Sequence, residues 1–259
     1  SQSSSFATLS EAAKVADQKL RILIYDNSNF ASERNNETNN VIIDYIHNPI
    51  NPGICEAYNV ALEKAYLLGY EWLLVLDQDS ELEPKYIKKT LRILNSNLEG
   101  DAVAINPLAY NKSQKLVSPA RWICSKVLPF KNVKIMQPIE CKNMTSVNSG
   151  MFVSVNYLKE IGGYNKLFPL DMLDHWLMWK ISRDKKYVFI SNAILKHNLS
   201  CSDLANVTYE RHQNIIRSGL KLYSRIGLTS FFVFFLGSIY RAVLLSIIQK
   251  DLRFLKLWQ

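Results

Sequence analysis

The chain has 259 residues, 48% hydrophobic and 21% charged, which suits one large globular domain or a domain with an appendage. Lys and Arg outnumber Asp and Glu by 31 to 23, and the net charge of +8 favours anionic partners such as nucleoside diphosphates, lipid headgroups or nucleic acid. No compact Lys/Arg block with interleaved aromatics occurs, which argues against nucleic acid, and Cys55, Cys124, Cys141 and Cys201 form no Cys-x-x-Cys pair, which argues against a zinc knuckle or a dense disulfide framework.

Strands and helices alternate in the first part. Residues 7–19 read as a helix, 21–25 and 41–46 as strands, 54–68 as a helix and 72–76 as a strand. A helix with Pro84 in its first turn covers 84–94, and 102–105 is a short apolar strand. This rhythm predicts an α/β fold, a mostly parallel Rossmann-like sheet flanked by helices, with ligands at the carboxyl ends of the strands. Between 106 and 145, Pro107, Pro119, Pro129 and Pro138 break any periodicity, so the segment reads as an acceptor-side region, a lid or an ordinary long insertion. A strand resumes at 151–155, a short helix over 156–161 closes at Gly162-Gly163, and a helix covers 173–182. Strands follow at 187–190 and 193–197, and after Asp203 the chain turns to long helical segments. The division is therefore a domain over 1–200 and a helical segment over 201–259. The opening serines are not followed by a basic and then an apolar stretch, so no signal peptide is expected. The scattered cysteines fit a reducing cytoplasm, where the Asn-x-Ser/Thr matches at Asn36, Asn111, Asn143, Asn198 and Asn206 read as chance.

The most informative stretch is Trp72-Leu73-Leu74-Val75-Leu76-Asp77-Gln78-Asp79-Ser80, an apolar run that stops at two carboxylates one residue apart. Alternate side chains of an extended segment point the same way, so Asp77 and Asp79 can address one cation from one side. Mg2+ or Mn2+ bridging a diphosphate fits, because hard cations take oxygen ligands and magnesium is often held by one or two carboxylates plus substrate phosphates. The plain alternative is a strand followed by a polar turn.

Four features stand in order along the chain: Asp26-Asn27-Ser28 after a strand; Asn48 with Gly53, Ala57 and Asn59; Asp77-Gln78-Asp79; and Asp171 and Asp174 followed by His197. The succession resembles family-2 glycosyltransferases of the GT-A fold over roughly residues 6 to 200, most of all the rhamnosyltransferase-like bacterial enzymes whose motif reads Leu-Asp-Gln-Asp-Ser/Thr. The resemblance implies inverting, metal-dependent transfer of a sugar, rhamnose or similar, from a nucleoside-diphosphate donor to a glycan or lipid-linked acceptor of a bacterial surface polysaccharide. It implies Asp26, with Asn27, at the donor base, where a carboxylate can accept from the imide N–H of uracil or thymine; an Asx turn is the alternative. Asn48, Gly53 and Asn59 would lie on the donor side, where small residues let a helix approach the nucleotide and a helix start favours phosphate. Asp79 would contact the metal, Asp77 the ribose or the metal, and His197 would complete the metal site. The catalytic base would be Asp174 or Asp171, with Asp174 preferred at the helix start; helix capping by Asp171 and a first-turn role for Asp174 are the plain alternatives. The family often shows Asp-x-x-Asp-x-Glu-Trp here, whereas this chain reads Asp171-x-x-Asp174-His175-Trp176 and lacks the Glu. The fold also normally opens with a strand that no segment ahead of residue 7 supplies.

Competing chemistry comes from haloacid-dehalogenase-type phosphatases, which also carry Asp-x-Asp after a strand but on the first strand, and from a non-catalytic sugar- or membrane-binding module of the same fold. In residues 226–248 the apolar run is interrupted by Arg241, with Gly237, Ser238 and Ser230 making a small or polar face and Lys221, Arg225, Lys250 and Arg253 flanking it. Such a segment can lie in the interface of the cytoplasmic membrane's inner face, pack or form a homodimer, or span, and the first is preferred because an intramembrane Arg is costly. The expected location is cytoplasmic, peripherally associated with that membrane.

Overall fold

The computed structural model describes residues 3–31, 37–38, 41–96, 101–130, 132–197 and 207–256; Cys201 and the Asn36, Asn198 and Asn206 motifs lie outside them. In chain order the elements are α1 (Ser4–Ala16), β1 (Leu20–Asp26), β2 (Glu37–Thr38), β3 (Val41–His47), α2 (Ile54–Leu67), β4 (Trp72–Leu74), β5 (Glu81–Leu82) and α3 (Tyr86–Asn95). There follow β6 (Ala102–Tyr110), β7 (Leu116–Ser118), β8 (Ala120–Ile123), β9 (Lys126–Pro129), β10 (Gln137–Glu140), β11 (Met144–Thr145), β12 (Phe152–Ser154) and α4 (Val155–Glu160). The chain continues with α5 (Leu173–Arg183), β13 (Tyr187–Lys196), α6 (Tyr209–Ile226), α7 (Leu228–Ile248) and a 3-10 turn at Leu252–Leu255.

α1 begins and ends earlier than its apolar pattern suggests, because Ser3 accepts from the Phe6 N–H and Asp17 closes the helix in the left-handed conformation. The main sheet has the order β10-β13-β6-β12-β4. β13 is parallel to β6, and β12 runs antiparallel between β6 and β4. β12 turns directly into α4, whose Ser154 cap accepts from the Tyr157 N–H. The expected pair of strands at 187–190 and 193–197 is one strand, β13, with a register irregularity between Ile190 and Ile194 opposite Asn106 and Leu108. Pro107 sits at that irregularity, where its missing N–H disrupts the ladder least, so β6 runs through it. The segment 106–145, expected to be irregular, thus holds short antiparallel strands, including the small sheet β11-β8-β9. Strands this short, punctuated by proline, leave no periodic signature.

Helices cover both faces. One core gathers Tyr58 and Leu62 of α2, Tyr157 and Leu158 of α4, Leu177 and Ile181 of α5, and Leu222 and Tyr223 of α6. The other joins Leu9 and Ala12 of α1 to Ile87 and Ile93 of α3. The C-terminal helices therefore share the main body's core. Trp122 Nε1 donates to Tyr223 Oη at 3.1 Å, and the Phe234 ring stacks on Tyr223 with centroids 4.7 Å apart. Gly219 makes room for that ring, since a Cβ there would come within 2.0 Å of it.

β1 pairs in parallel with β3, and no described strand bonds β1 to β4. The two edges border a cavity of about 1720 Å³ that reaches from Leu20 to the carboxyl ends of both strands. Among the described residues no strand bridges these edges. The apolar residues of β1 are accordingly only half-buried.

Candidate active site

The apolar run of β4 continues in extended pairing past its last strand residue, with Val75 N–H donating to Met151 O and Gly150 N–H to Val75 O. It delivers Asp77 and Asp79 to the cavity, where β13 ends and sets His197 beside them. The three residues present ligand atoms all within 4.8 Å of one another. His197 Nε2 lies 4.0 Å from Asp77 Oδ2, and Nδ1 lies 3.7 Å from Asp79 Oδ1. One hard cation with ligands at about 2.1 Å needs ligand atoms about 3 to 4.2 Å apart, so this group fits a divalent ion after small side-chain adjustment.

Neighbours hold the group in place. The buried Ser80 hydroxyl lies 2.9 Å from His197 Nδ1 and 2.7 Å from Ser149 Oγ, and Ser149 accepts from the Asp77 N–H at 2.9 Å. Tyr58 of α2 donates its hydroxyl to Asp77 Oδ1 at 3.0 Å. Burial pushes the Asp77 carboxyl above the usual carboxylate range, against the pull of His197 and the Tyr58 hydroxyl, while Asp79 adds to the rise. Asn148 lines the same cavity with its buried Oδ1 lacking a partner. Sequence reasoning missed Tyr58, Asn148 and Ser149; Ser80 was visible only as the last residue of the motif.

Asp171 and Asp174 both line the cavity. Met172, in the left-handed conformation, occupies the N-cap of α5, so the capping role weighed for Asp171 does not hold. Asp171 is instead ion-paired with Arg211 of α6 at 2.9 Å, and burial raises its carboxyl against the pull of Arg211. Asp174, in the first turn, accepts from the His175 N–H at 2.8 Å. His175 is fixed by Thr145 and by stacking on Trp122, 5.3 Å between ring centres.

The donor-side candidates separate. Asp26 and Asn27 line the cavity at the end of β1. Asp26 makes the Asx turn, accepting from Ser28 N–H at 2.9 Å, and its other oxygen accepts from Tyr45 Oη at 2.6 Å. Asn48 is turned away, donating to Tyr25 Oη at 2.7 Å and accepting from Ile50 N–H. Asn59 clasps the Tyr164 backbone, donating at 2.9 Å and accepting at 2.8 Å, outside the main cavity. Gly53 has a positive φ and lies so close to Pro169 that a Cβ would come within 2.4 Å of its carbonyl oxygen. It lets α2 dock on the loop carrying Asp171, and Ala57 and Ala61 of that helix face the cavity.

A mixed sheet, in which β5, β7, β10 and β12 pair antiparallel beside the parallel pair β6 and β13, with carboxylates at a strand end, agrees with the family match: the model described as Glycosyl transferase family 2 covers residues 7–162. The chain belongs to glycosyl transferase family 2. No curated protein sequence matches this family-2 chain. Among solved structures it is similar to S. aureus TarS, with a TM-score of 0.50 and 14% identity over 84% of this chain and 38% of that one. TarS residues 1–349 give 0.50 and 13% identity over 91% and 69%. GalNAc-T7 with UDP, GalNAc and Mn2+ gives 0.48 and 13% over 70% and 36%. At these identities the TarS likeness shows the fold alone. The chain spans less than two-fifths of the longer TarS chain and of the GalNAc-T7 chain.

Proposed function

We propose that this family-2 protein is an inverting glycosyltransferase that moves a sugar, rhamnose or a similar one, from a nucleoside-diphosphate donor to a hydroxyl of a glycan or lipid-linked acceptor. The observation that carries the reading is the convergence of Asp77, Asp79 and His197 at the mouth of a cavity that Asp26, Asp171 and Asp174 also line. Asp79, Asp77 and His197 would hold Mg2+ or Mn2+, which supplies positive charge for the departing diphosphate. Asp26 and Asn27 suit a nucleobase at the far end of the cavity. Asp174 is the preferred base, because Arg211 already pairs with Asp171 while no cation is paired with Asp174 among the described residues. It would take the proton of the acceptor hydroxyl as that oxygen attacks the anomeric carbon in line. The phosphatase reading loses its ground, since the aspartate pair follows β4 rather than a first strand and the family model matches this region.

α7 supports a membrane-side acceptor. It is long and apolar enough to cross a membrane, yet its inner side packs on the body. Leu228, Phe232, Leu236, Tyr240, Val243 and Ile247 form an exposed stripe at three- and four-residue spacing. Lys221, Arg225, Lys250 and Arg253 flank it. This fits a helix lying at the cytoplasmic face of the membrane. A thermal-shift panel of nucleotide sugars with and without Mn2+ tests the proposal: one nucleotide class should stabilise the protein, and more so with the ion. No stabilisation by any of them would refute it.

A further inference from the structure

Two arginines from the C-terminal helices line the cavity of the aspartates: Arg211 of α6 and Arg241 of α7. Arg211 Nη2 lies 2.9 Å from Asp171 Oδ1. Arg241 has Nε and Nη2 buried without a hydrogen-bond partner, and Asp171 Oδ2 is likewise buried and unpaired. Gly237 and Ser238, about one turn before Arg241, line the same cavity, and a Cβ on Gly237 would meet nothing within 4 Å. Arg241 is felt by its surroundings: it pulls the Asp171 carboxyl and the His212 imidazole downwards. Two guanidinium nitrogens withdrawn from water without a hydrogen bond are costly, and their retention on a half-buried arginine in the wall of an open cavity calls for an anion that arrives with the ligand.

We propose that Arg211 and Arg241 form a phosphate-binding subsite, with Asp171 orienting the Arg211 guanidinium, so that the C-terminal helices hold part of the substrate. The inference rests on the glycosyltransferase reading for its two sources of phosphate: the donor's diphosphate, or the phosphate linking an acceptor to lipid. The guanidinium fork matches phosphate oxygens two at a time, and Arg211 and Arg241 outnumber their carboxylate partner Asp171. Neither arginine belongs to the cation-ligand group of Asp77, Asp79 and His197, so the subsite should bind phosphate when divalent ions are absent.

The test is calorimetric titration of the full chain with inorganic pyrophosphate in EDTA, for wild type, Arg241→Gln, Arg211→Gln and Arg241→Lys. Affinity should fall tenfold or more in Arg241→Gln and Arg211→Gln, with Arg241→Lys in between. The melting temperature of ligand-free Arg241→Gln should equal or exceed that of wild type, because an unpaired buried charge is gone, and the order should reverse with saturating pyrophosphate. If Arg241→Gln does not fold, Arg241→Lys and Arg211→Gln carry the measurement. Parallel titrations with UDP or dTDP and with farnesyl monophosphate separate the sources, since the one that loses affinity in the variants is the one held. Equal pyrophosphate affinity in every variant, or none in wild type, overturns the proposal. Pyrophosphate binding without stabilisation by any nucleotide sugar would instead leave the subsite standing and sink the transferase reading.

Discussion

Ser80→Ala isolates the device that sets the histidine of the metal group. For His197 Nε2 to offer a lone pair to a cation, Nδ1 must carry the ring proton. That proton then goes to Ser80 Oγ, 2.9 Å away, and Ser80 donates in turn to Ser149 Oγ at 2.7 Å. Alanine leaves Nδ1–H facing a methyl group in a fully buried spot and removes the donor to Ser149. An unmet buried donor costs about 1–3 kcal/mol of stability. Freeing the tautomer and ring orientation should weaken metal binding about 10- to 100-fold, or roughly 1.4–2.7 kcal/mol. Titration of free Mn2+ by electron paramagnetic resonance, with urea melts of the same samples, reads both effects. Mn2+ affinity within twofold of wild type alongside a lowered melt would show that Ser80 only packs, and the Nε2 assignment would fall.

Asp174→Asn should preserve fold and donor binding while slowing transfer about a hundredfold or more; Asp171→Asn is its control, and the reverse pattern would move the base to Asp171. His212 is fully buried, with burial and then Arg241 lowering its pKa from 6.5 to about 4. The folded state takes up that proton only near pH 4 whereas the unfolded chain does so near 6.5, so stability holds above 6.5 and is lost as pH falls towards 4, by up to about 3 kcal/mol. His212→Phe should flatten that part of the pH–stability curve, and an unchanged slope would refute the cause. On α7, Phe232→Ser with Leu236→Ser removes two exposed side chains of the apolar stripe without touching Phe234, and sedimentation with anionic vesicles should fall tenfold or more; equal sedimentation would exclude the stripe as the membrane contact.

The sequence by itself determined the α/β alternation and the place of the aspartate pair, because an apolar run ending in Asp77-Gln78-Asp79 carries both burial and chemistry within nine residues. It also marked out the apolar α7 and, through the family resemblance alone, His197. Donor-side residues were legible only in part. Asp26 and Asn27 reach the cavity because a strand end points there, whereas Asn48, Gly53 and Asn59 serve the scaffold, since a polar residue near a helix start looks the same whether it faces a nucleotide or clasps a backbone. Tertiary structure alone decided that Tyr58 and Ser149 hold Asp77, that Met172 rather than Asp171 caps α5, and that the short strands between 106 and 145 form a sheet. Asp77 and Ser149, for example, are 72 positions apart, and no local period records such contacts. The same holds for Arg211 and Arg241: read along the chain they are charges on helices, and only the packing of α6 and α7 onto the body turns them into the cavity.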